Sequence, residues 1–337
     1  MNVPPKSKLV VLVAFPNLPL LEIAGPGDVF FQASKTVYEK TGIENAYEVV
    51  VISADRSDQI VSRSGITIAS ALKIEDIKRP IDTLLVAGYN FENPAIEESD
   101  FYSWLAEIAA KVRRIGSICV GTFALAKAGL LNNKNVTTHW EKGAKLLNQY
   151  PDLQVDTSQF FIKDGNIYTS GGVSSGTDLA LALVEEDYGR EVAVSVARHL
   201  VLYLKRPGFQ SQFGDLLPEP EFETGVFGKI QDWMVTHLDQ DLSVEQLALH
   251  SNMSPRNFAR VFLKETGVTP AKFVEKLRVE MARKLLEESD FNIEQIAEKT
   301  GLISLVSMRR IFLRNLMVTP SDYRRTFKTT QTEAVLV

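Results

Sequence analysis

At 337 residues the chain is longer than one typical core, so two domains are expected. A hydrophobic content of 45% with 23% charged residues excludes a disordered chain, and no apolar run reaches the roughly 18 residues of a membrane helix. The single cysteine, Cys119, excludes an intrachain disulfide and a multi-cysteine metal site and points to a cytoplasmic protein, with no cofactor and no metal expected. The net charge of -5 is unevenly spread: residues 227 to 328 carry 16 basic and 13 acidic side chains, which leaves -8 for the remainder. Such asymmetry suggests a basic module attached to an acidic one.

From Lys8 to about Tyr203, short β-branched runs alternate with amphipathic stretches. Leu9–Phe15 lacks the flanks of a secretion signal and reads as a buried parallel strand. Further strands are expected at Tyr47–Ser53, Thr83–Ala87, Ile115–Cys119, Asn135–Thr138 and Asn166–Ser170, with helices at Asp100–Arg113 and Ser175–Tyr188. The alternation predicts an α/β fold over 8–205, a flavodoxin-like parallel-sheet sandwich. Residues 206–225, rich in proline and without period, read as a linker. An all-α domain is expected over 226–328 and a flexible tail over 329–337.

The all-α region repeats itself after about 50 residues. The first copy holds Leu242-Ser243-Val244-Glu245, Ser254-Pro255-Arg256-Asn257-Phe258 and Gly267-Val268-Thr269-Pro270; the second holds Asn292-Ile293-Glu294, Ser304, Met308-Arg309-Arg310-Ile311-Phe312 and Val318-Thr319-Pro320. Each is a helix, a turn and a second helix, with Ser254 and Ser304 as N-caps and Pro255 at a first helical position. Phe258, Val261, Phe262, Met308, Ile311 and Phe312 fall on inward faces. Arg256, Asn257, Arg260 and Lys264, and in the second copy Arg309, Arg310 and Arg314, fall outward, where guanidinium groups meet phosphates and guanine edges in a major groove. A long helix from Pro270 would set the two recognition helices about 34 Å apart. Residues Ile230 to Phe327 resemble the AraC/XylS family of DNA-binding domains. Leu302 stands where that family usually has phenylalanine, and Met317 where it has a turn glycine.

In the first region, Ser117-Ile118-Cys119-Val120-Gly121 places the cysteine where a strand ends and a helix begins. Amides at such a turn are expected to favour the thiolate and lower the thiol pKa. His139 ends another expected strand, and Glu22 falls in the loop after the first one. With Leu21-Glu22-Ile23-Ala24-Gly25-Pro26, Val86-Ala87-Gly88, Thr137-Thr138-His139-Trp140 and Ser170-Gly171-Gly172, these residues resemble the PfpI-like superfamily related to class I glutamine amidotransferases, in the GlxA-like branch fused to an AraC-type domain. The resemblance implies a pocket formed by Glu22, Gly88, Cys119, Val120 and His139. The candidates for catalysis are Cys119, His139 and Glu22, with amides near Gly88 and Val120 as oxyanion donors.

The expected function is a DNA-binding transcription regulator, not an enzyme, whose partners are double-stranded DNA, a small, nitrogenous effector and a second copy of the chain. Cys119 could line the pocket, act as a redox switch or serve a hydrolase or amidase, the alternative reading. Glycines 171, 172 and 176 lack the lysine and spacing of a phosphate loop and read as tight turns.

Overall fold

Why β1 lies inside its sheet is visible in its residues: Val10 to Ala14 are all inaccessible, alternately facing two different cores. The computed structural model describes residues 7–70, 73–91, 99–206, 210 and 226–328. The expected tail and nearly all of the expected linker lie outside them. The chain divides into two compact units, Met1–Arg206 and Pro207–Val337.

In the first unit the order is β1 (Lys8–Ala14), α1 (Leu21–Thr41), β2 (Tyr47–Ser53), β3 (Gln59–Val61), β4 (Thr67–Ala69), β5 (Thr83–Val86), α2 (Ser99–Ala109), β6 (Arg114–Ser117) and α3 (Thr122–Lys127). There follow β7 (Asn135–Val136), α4 (Gly143–Gln149), β8 (Gln154–Val155), β9 (Phe161–Asp164), β10 (Ile167–Ser170) and α5 (Ser175–His199). The main sheet runs β2-β1-β5-β6-β10-β9, parallel except for β9, which pairs antiparallel with β10. Val10 and Leu12 pack under α1 and α5, while Val11 and Val13 face α2 and α3.

Three details depart from expectation. The edge strand β9 was unforeseen, although Gly165-Asn166 forms its two-residue turn and Gly165 takes φ +67°. The expected strand at Asn135–Thr138 shortens to Asn135–Val136 and pairs with β8 outside the main sheet. Glu22 sits in the first turn of α1, not in a loop.

At the amino ends of the strands, buried Arg114 donates to Asp187 Oδ2 on α5 at 2.7 Å and to Thr83 Oγ1 at 3.1 Å. Tyr47 also donates to Asp187, at 2.7 Å. This network clamps α5 to the sheet edge remote from the strands' carboxyl ends, where such folds bind ligands.

The second unit comprises α6 (Val226–Thr236), α7 (Val244–His250), α8 (Pro255–Thr266), α9 (Pro270–Glu288), α10 (Ile293–Lys299), α11 (Leu305–Leu316) and α12 (Pro320–Phe327). It holds two small cores, and α9 feeds both. Phe273, Val274 and Leu277 join Phe258 and Phe262 in one; Val279, Ala282 and Leu286 join Met308, Phe312 and Tyr323 in the other. Ser254, Thr269, Asn292, Ser304 and Thr319 each cap a helix by accepting a backbone amide, and Asn292 with Gln295 forms a capping box.

The two halves are also tied across a seam. Arg278 of α9 donates to the carbonyls of Leu238 (3.1 Å) and Gln240 (2.9 Å) after α6. Gly301, in the second turn at φ +66°, lies so close that a Cβ there would come within 2.1 Å of the Leu238 carbonyl oxygen. Both constraints require glycine. At the ends of the recognition helices Gly267 and Met317 occupy the same left-handed position, at φ +72° and +57°. We expect Gly301→Ala to cost at least about 2 kcal/mol and Met317→Gly to add up to about 1 kcal/mol, since only the second relieves a side chain held at positive φ. Urea unfolding of the two variants beside the parent chain measures both.

Candidate ligand pocket and DNA interface

At the carboxyl ends of β1, β5 and β6 lies a pocket of about 550 Å³, lined by Glu22, Arg63, Gly88, Cys119, Val120 and His139 together with Asn17, Tyr89, Phe91, Glu141, Lys142 and Val173. All five expected pocket residues converge there.

Cys119 stands at φ +56°, left-handed and costly for a residue with a Cβ. Neighbours hold it there. Its carbonyl accepts from Thr138 Oγ1 at 2.9 Å and Thr122 Oγ1 at 3.2 Å. Behind these, Ser117 bonds Thr122 at 2.9 Å, and the Thr137 amide donates to Thr169 Oγ1 at 2.8 Å. The residues that were expected to continue a strand, Thr137 and Thr138, brace the elbow instead. Gly121 follows because a Cβ there would lie 2.2 Å from the Val86 carbonyl oxygen.

Glu22 is wholly buried. Its Oε2 accepts the Gly88 amide at 2.5 Å, and Oε1 is buried with no hydrogen-bond partner of good geometry. Burial raises the Glu22 pKa to about 7, against partial relief from the Gly88 amide, the Cys119 thiol and the charge of Arg63. Two expectations fail here. The Cys119 thiol is pushed well above its ordinary range, by burial first and by the Glu22 carboxyl second, and the Val120 amide does not offset them. The Gly88 amide, expected as an oxyanion donor, is already engaged by Glu22. A Cβ on Gly88 would lie 2.9 Å from Glu22 Oε2, so the glycine permits this approach.

His139 is half-buried, and burial lowers its pKa. Its Nδ1 accepts the Glu141 amide at 3.3 Å, which leaves the proton of the neutral ring on Nε2. The free nitrogen of that tautomer donates a hydrogen bond; it does not abstract a proton. Among the described residues no hydrogen bond joins His139 to Cys119.

Nothing in the sequence marked Arg63, Tyr89 or Phe91. Arg63 reaches the pocket because the β3–β4 hairpin lies along the segment after β1, through Asn17 N to Val61 O (2.8 Å) and Arg63 N to Leu18 O (2.9 Å). Tyr89 stacks on Phe15 at 4.4 Å and Phe91 on Phe123 at 3.8 Å, so both rings are rigid walls. Beyond the pocket, Arg206 was expected to open the linker. It belongs to the first unit, where its Nε donates to Asp178 Oδ1 at 2.9 Å, its second nitrogen pairs with Oδ2, and its plane covers Phe160. Asp178 and Ser174, which also receives Arg206 at 3.1 Å, start α5 directly after the pocket residue Val173.

In the second unit Arg256, Asn257, Arg260 and Lys264 are exposed on α8, as are Arg309, Arg310 and Arg314 on α11. Arg260 donates to Asn257 Oδ1 at 3.0 Å, which pre-orients a donor pair one turn apart. Arg314 is paired with Glu275 of α9, a carboxylate also held by Asn315 at 3.0 Å, so its charge is partly spent inside the domain. A wider hollow of about 610 Å³ opens beside Arg309 at the starts of α10 and α12, but it contains no buried titratable side chain of the kind that marks the first pocket.

The fold joins an α/β domain with a pocket at the carboxyl ends of its strands to an AraC-type helix-turn-helix DNA-binding domain. Residues 7–186 match the DJ-1/PfpI family and residues 247–326 a helix-turn-helix domain family; the chain belongs to the DJ-1/PfpI family. It is 28% identical over 248 residues to the HTH-type transcriptional regulator GbdR of Pseudomonas aeruginosa, covering 73% of this chain and 66% of GbdR, just under two thirds of that protein. The HTH-type transcriptional regulator CdhR of the same species is 28% identical over 278 residues, 82% of each chain. Isonitrile hydratase of Pseudomonas putida is 28% identical over 209 residues, 60% of this chain and 82% of its own.

Because Glu22 titrates at about 7 when folded and near 4.5 when unfolded, the folded state binds the extra proton between those values. Stability is therefore full below about pH 4.5 and falls as pH rises through 7, by an amount of the order of 3 kcal/mol. Glu22→Gln keeps an acceptor for Gly88 without the charge. Its melting temperature should match the parent's near pH 4.5 and exceed it increasingly towards pH 8.

Proposed function

We propose that this protein is a ligand-controlled transcription regulator of the cytoplasm, acting as a homodimer, with a small, nitrogenous effector held in the Cys119 pocket. The observation that carries this reading is the pocket at the carboxyl ends of the strands, with Cys119, His139 and the buried Glu22 brought together in it. The thiol is raised, Glu22 is half-protonated near pH 7 and His139 is uncharged, which suits hydrogen-bonded binding better than nucleophilic attack. Glu22 and Glu141 with the ring of Tyr89 suit a cationic nitrogen, and Arg63 and Lys142 suit an anionic group on the same molecule. Among the described residues no helix is long and apolar enough to cross a membrane. Paired domains would read two half-sites.

The route from pocket to DNA-binding domain runs through Arg206. The loop that lines the pocket at Val173 also starts α5, and the first turn of α5 grips the last described residue before the connection. A ligand that shifts this turn changes the hold on Arg206.

Binding of the full chain to duplexes selected from a random pool tests the reading. Replacing Arg260 and Arg310 together by alanine should weaken binding ten- to a hundredfold and flatten its salt dependence. An unchanged affinity would sink the DNA assignment. A thermal-shift screen of small zwitterions identifies the effector; Arg206→Ala should then bind it normally yet lose its influence on DNA affinity.

The relationship to isonitrile hydratase favours one second reading, hydration or hydrolysis of a nitrogenous substrate at Cys119. Turnover by the parent chain that disappears in Cys119→Ser would establish it.

A further inference from the structure

The two recognition helices superimpose in sequence with an offset of 50, Ser254 on Ser304 and Phe262 on Phe312, yet their outward faces differ at the end that meets the bases. Where α8 presents Arg256, α11 presents Val306, 80% exposed. Where α8 follows Met253 directly with its cap, the second turn inserts one residue more, Ile303, 85% exposed and at φ +68°. A β-branched residue at positive φ is disfavoured on backbone grounds, and an isoleucine in water gains nothing by burial. Both features are costs to the free protein, and such costs gather where a partner is met. The apolar pair is flanked by exposed Arg309 and Arg310, a cationic rim that suits a polyanion.

We propose that the two units read DNA by different chemistry. The first reads hydrogen-bonding edges through Arg256, Asn257 and Arg260, whereas the second reads thymine methyl groups through Val306 and Ile303, with Arg309 and Arg310 anchoring the phosphates. Thymine C5-methyl is the one apolar group exposed on a base edge in the major groove, and the amino-terminal residues of a recognition helix are those that reach base edges. The half-site of the second unit is therefore thymine-bearing, and that of the first carries guanine or adenine. This inference rests on the DNA-binding reading above and specifies how its second half works.

Deoxyuridine keeps the pairing of thymidine and removes only the methyl group, so it isolates the contact. Each thymine of a selected operator is replaced in turn by deoxyuridine, and the dissociation constant of the full chain is measured. One or two positions, confined to one half-site, should weaken binding about fourfold each, the ratio that corresponds to one buried methyl group at about 0.8 kcal/mol. Val306→Ala should bind the thymine operator about fourfold more weakly and bind the deoxyuridine operator as the parent does, losing its response to the methyl. As Val306 is mostly exposed, its removal leaves both cores intact. An operator indifferent to deoxyuridine at every position overturns the inference while leaving DNA binding in place. So does undiminished methyl sensitivity in a variant with both Val306 and Ile303 changed to alanine. A chain that selects no duplex overturns both readings together.

Discussion

The hydrogen bond from the Gly88 amide to the buried Glu22 carboxyl is the contact on which the first unit's site depends. It ties the first turn of α1 to the end of β5 across the point where the sheet order reverses, the place where open α/β sheets hold ligands. Because the carboxyl is excluded from water, its charge is disfavoured, and what charge it carries adds to burial in disfavouring a thiolate beside it. The Cys119 elbow alone would suggest an activated nucleophile. With burial and Glu22 beside it, the thiol in this elbow is pushed above its ordinary range instead.

Holding Cys119 in a left-handed turn requires hydrogen bonds from several directions, and the sheet's carboxyl edge supplies them through hydroxyls. Ser117, Thr122, Thr137, Thr138 and Thr169 are buried, and each hydroxyl or carbonyl in the set has a partner. The opposite edge is stabilised by charge instead, with Arg114 and Asp187 buried as a pair. A satisfied hydroxyl network carries no net charge into the pocket, so the electrostatics there remain those of Glu22, Arg63 and the residues at the mouth. That separation lets the pocket be tuned by a few side chains without disturbing the clamp that holds α5.

Much of this was legible in the residues. An unbroken apolar β1, cysteine at a strand-to-helix junction, paired caps at Ser254 and Ser304, and prolines at first helical positions each follow from local rules, and local rules survive in the fold. What was not legible depends on residues distant in sequence. Arg63 enters the pocket only because a hairpin folds back along the segment after β1, and no pattern around Arg63 says so. The sign of the Cys119 shift was misjudged for the same reason: helix amides are local and visible, whereas burial and a carboxyl 97 positions earlier are not. The edge strand β9 is the exception, since its Gly165-Asn166 turn was present to be read.

The repeat in the second unit makes a related point about strength and divergence. The cores and the caps at Ser254 and Ser304 are matched between the copies, and α9 fills both cores at once, so a change in one core is felt by the helix that fills the other. The outward faces are under no such constraint. They differ most where packing has no say, at Arg256 against Val306 and at the inserted Ile303, and they agree at Arg260 and Arg310, which sit one turn further along. Gly301 shows the limit of that freedom: two residues before the inserted isoleucine, it is fixed by the Leu238 carbonyl and by Arg278 on the far side of the seam. The turn before the second unit's outer helix is therefore packed at its base, at Gly301, and exposed at its tip, at Ile303, so that the tip can differ from the first copy while the base stays fixed.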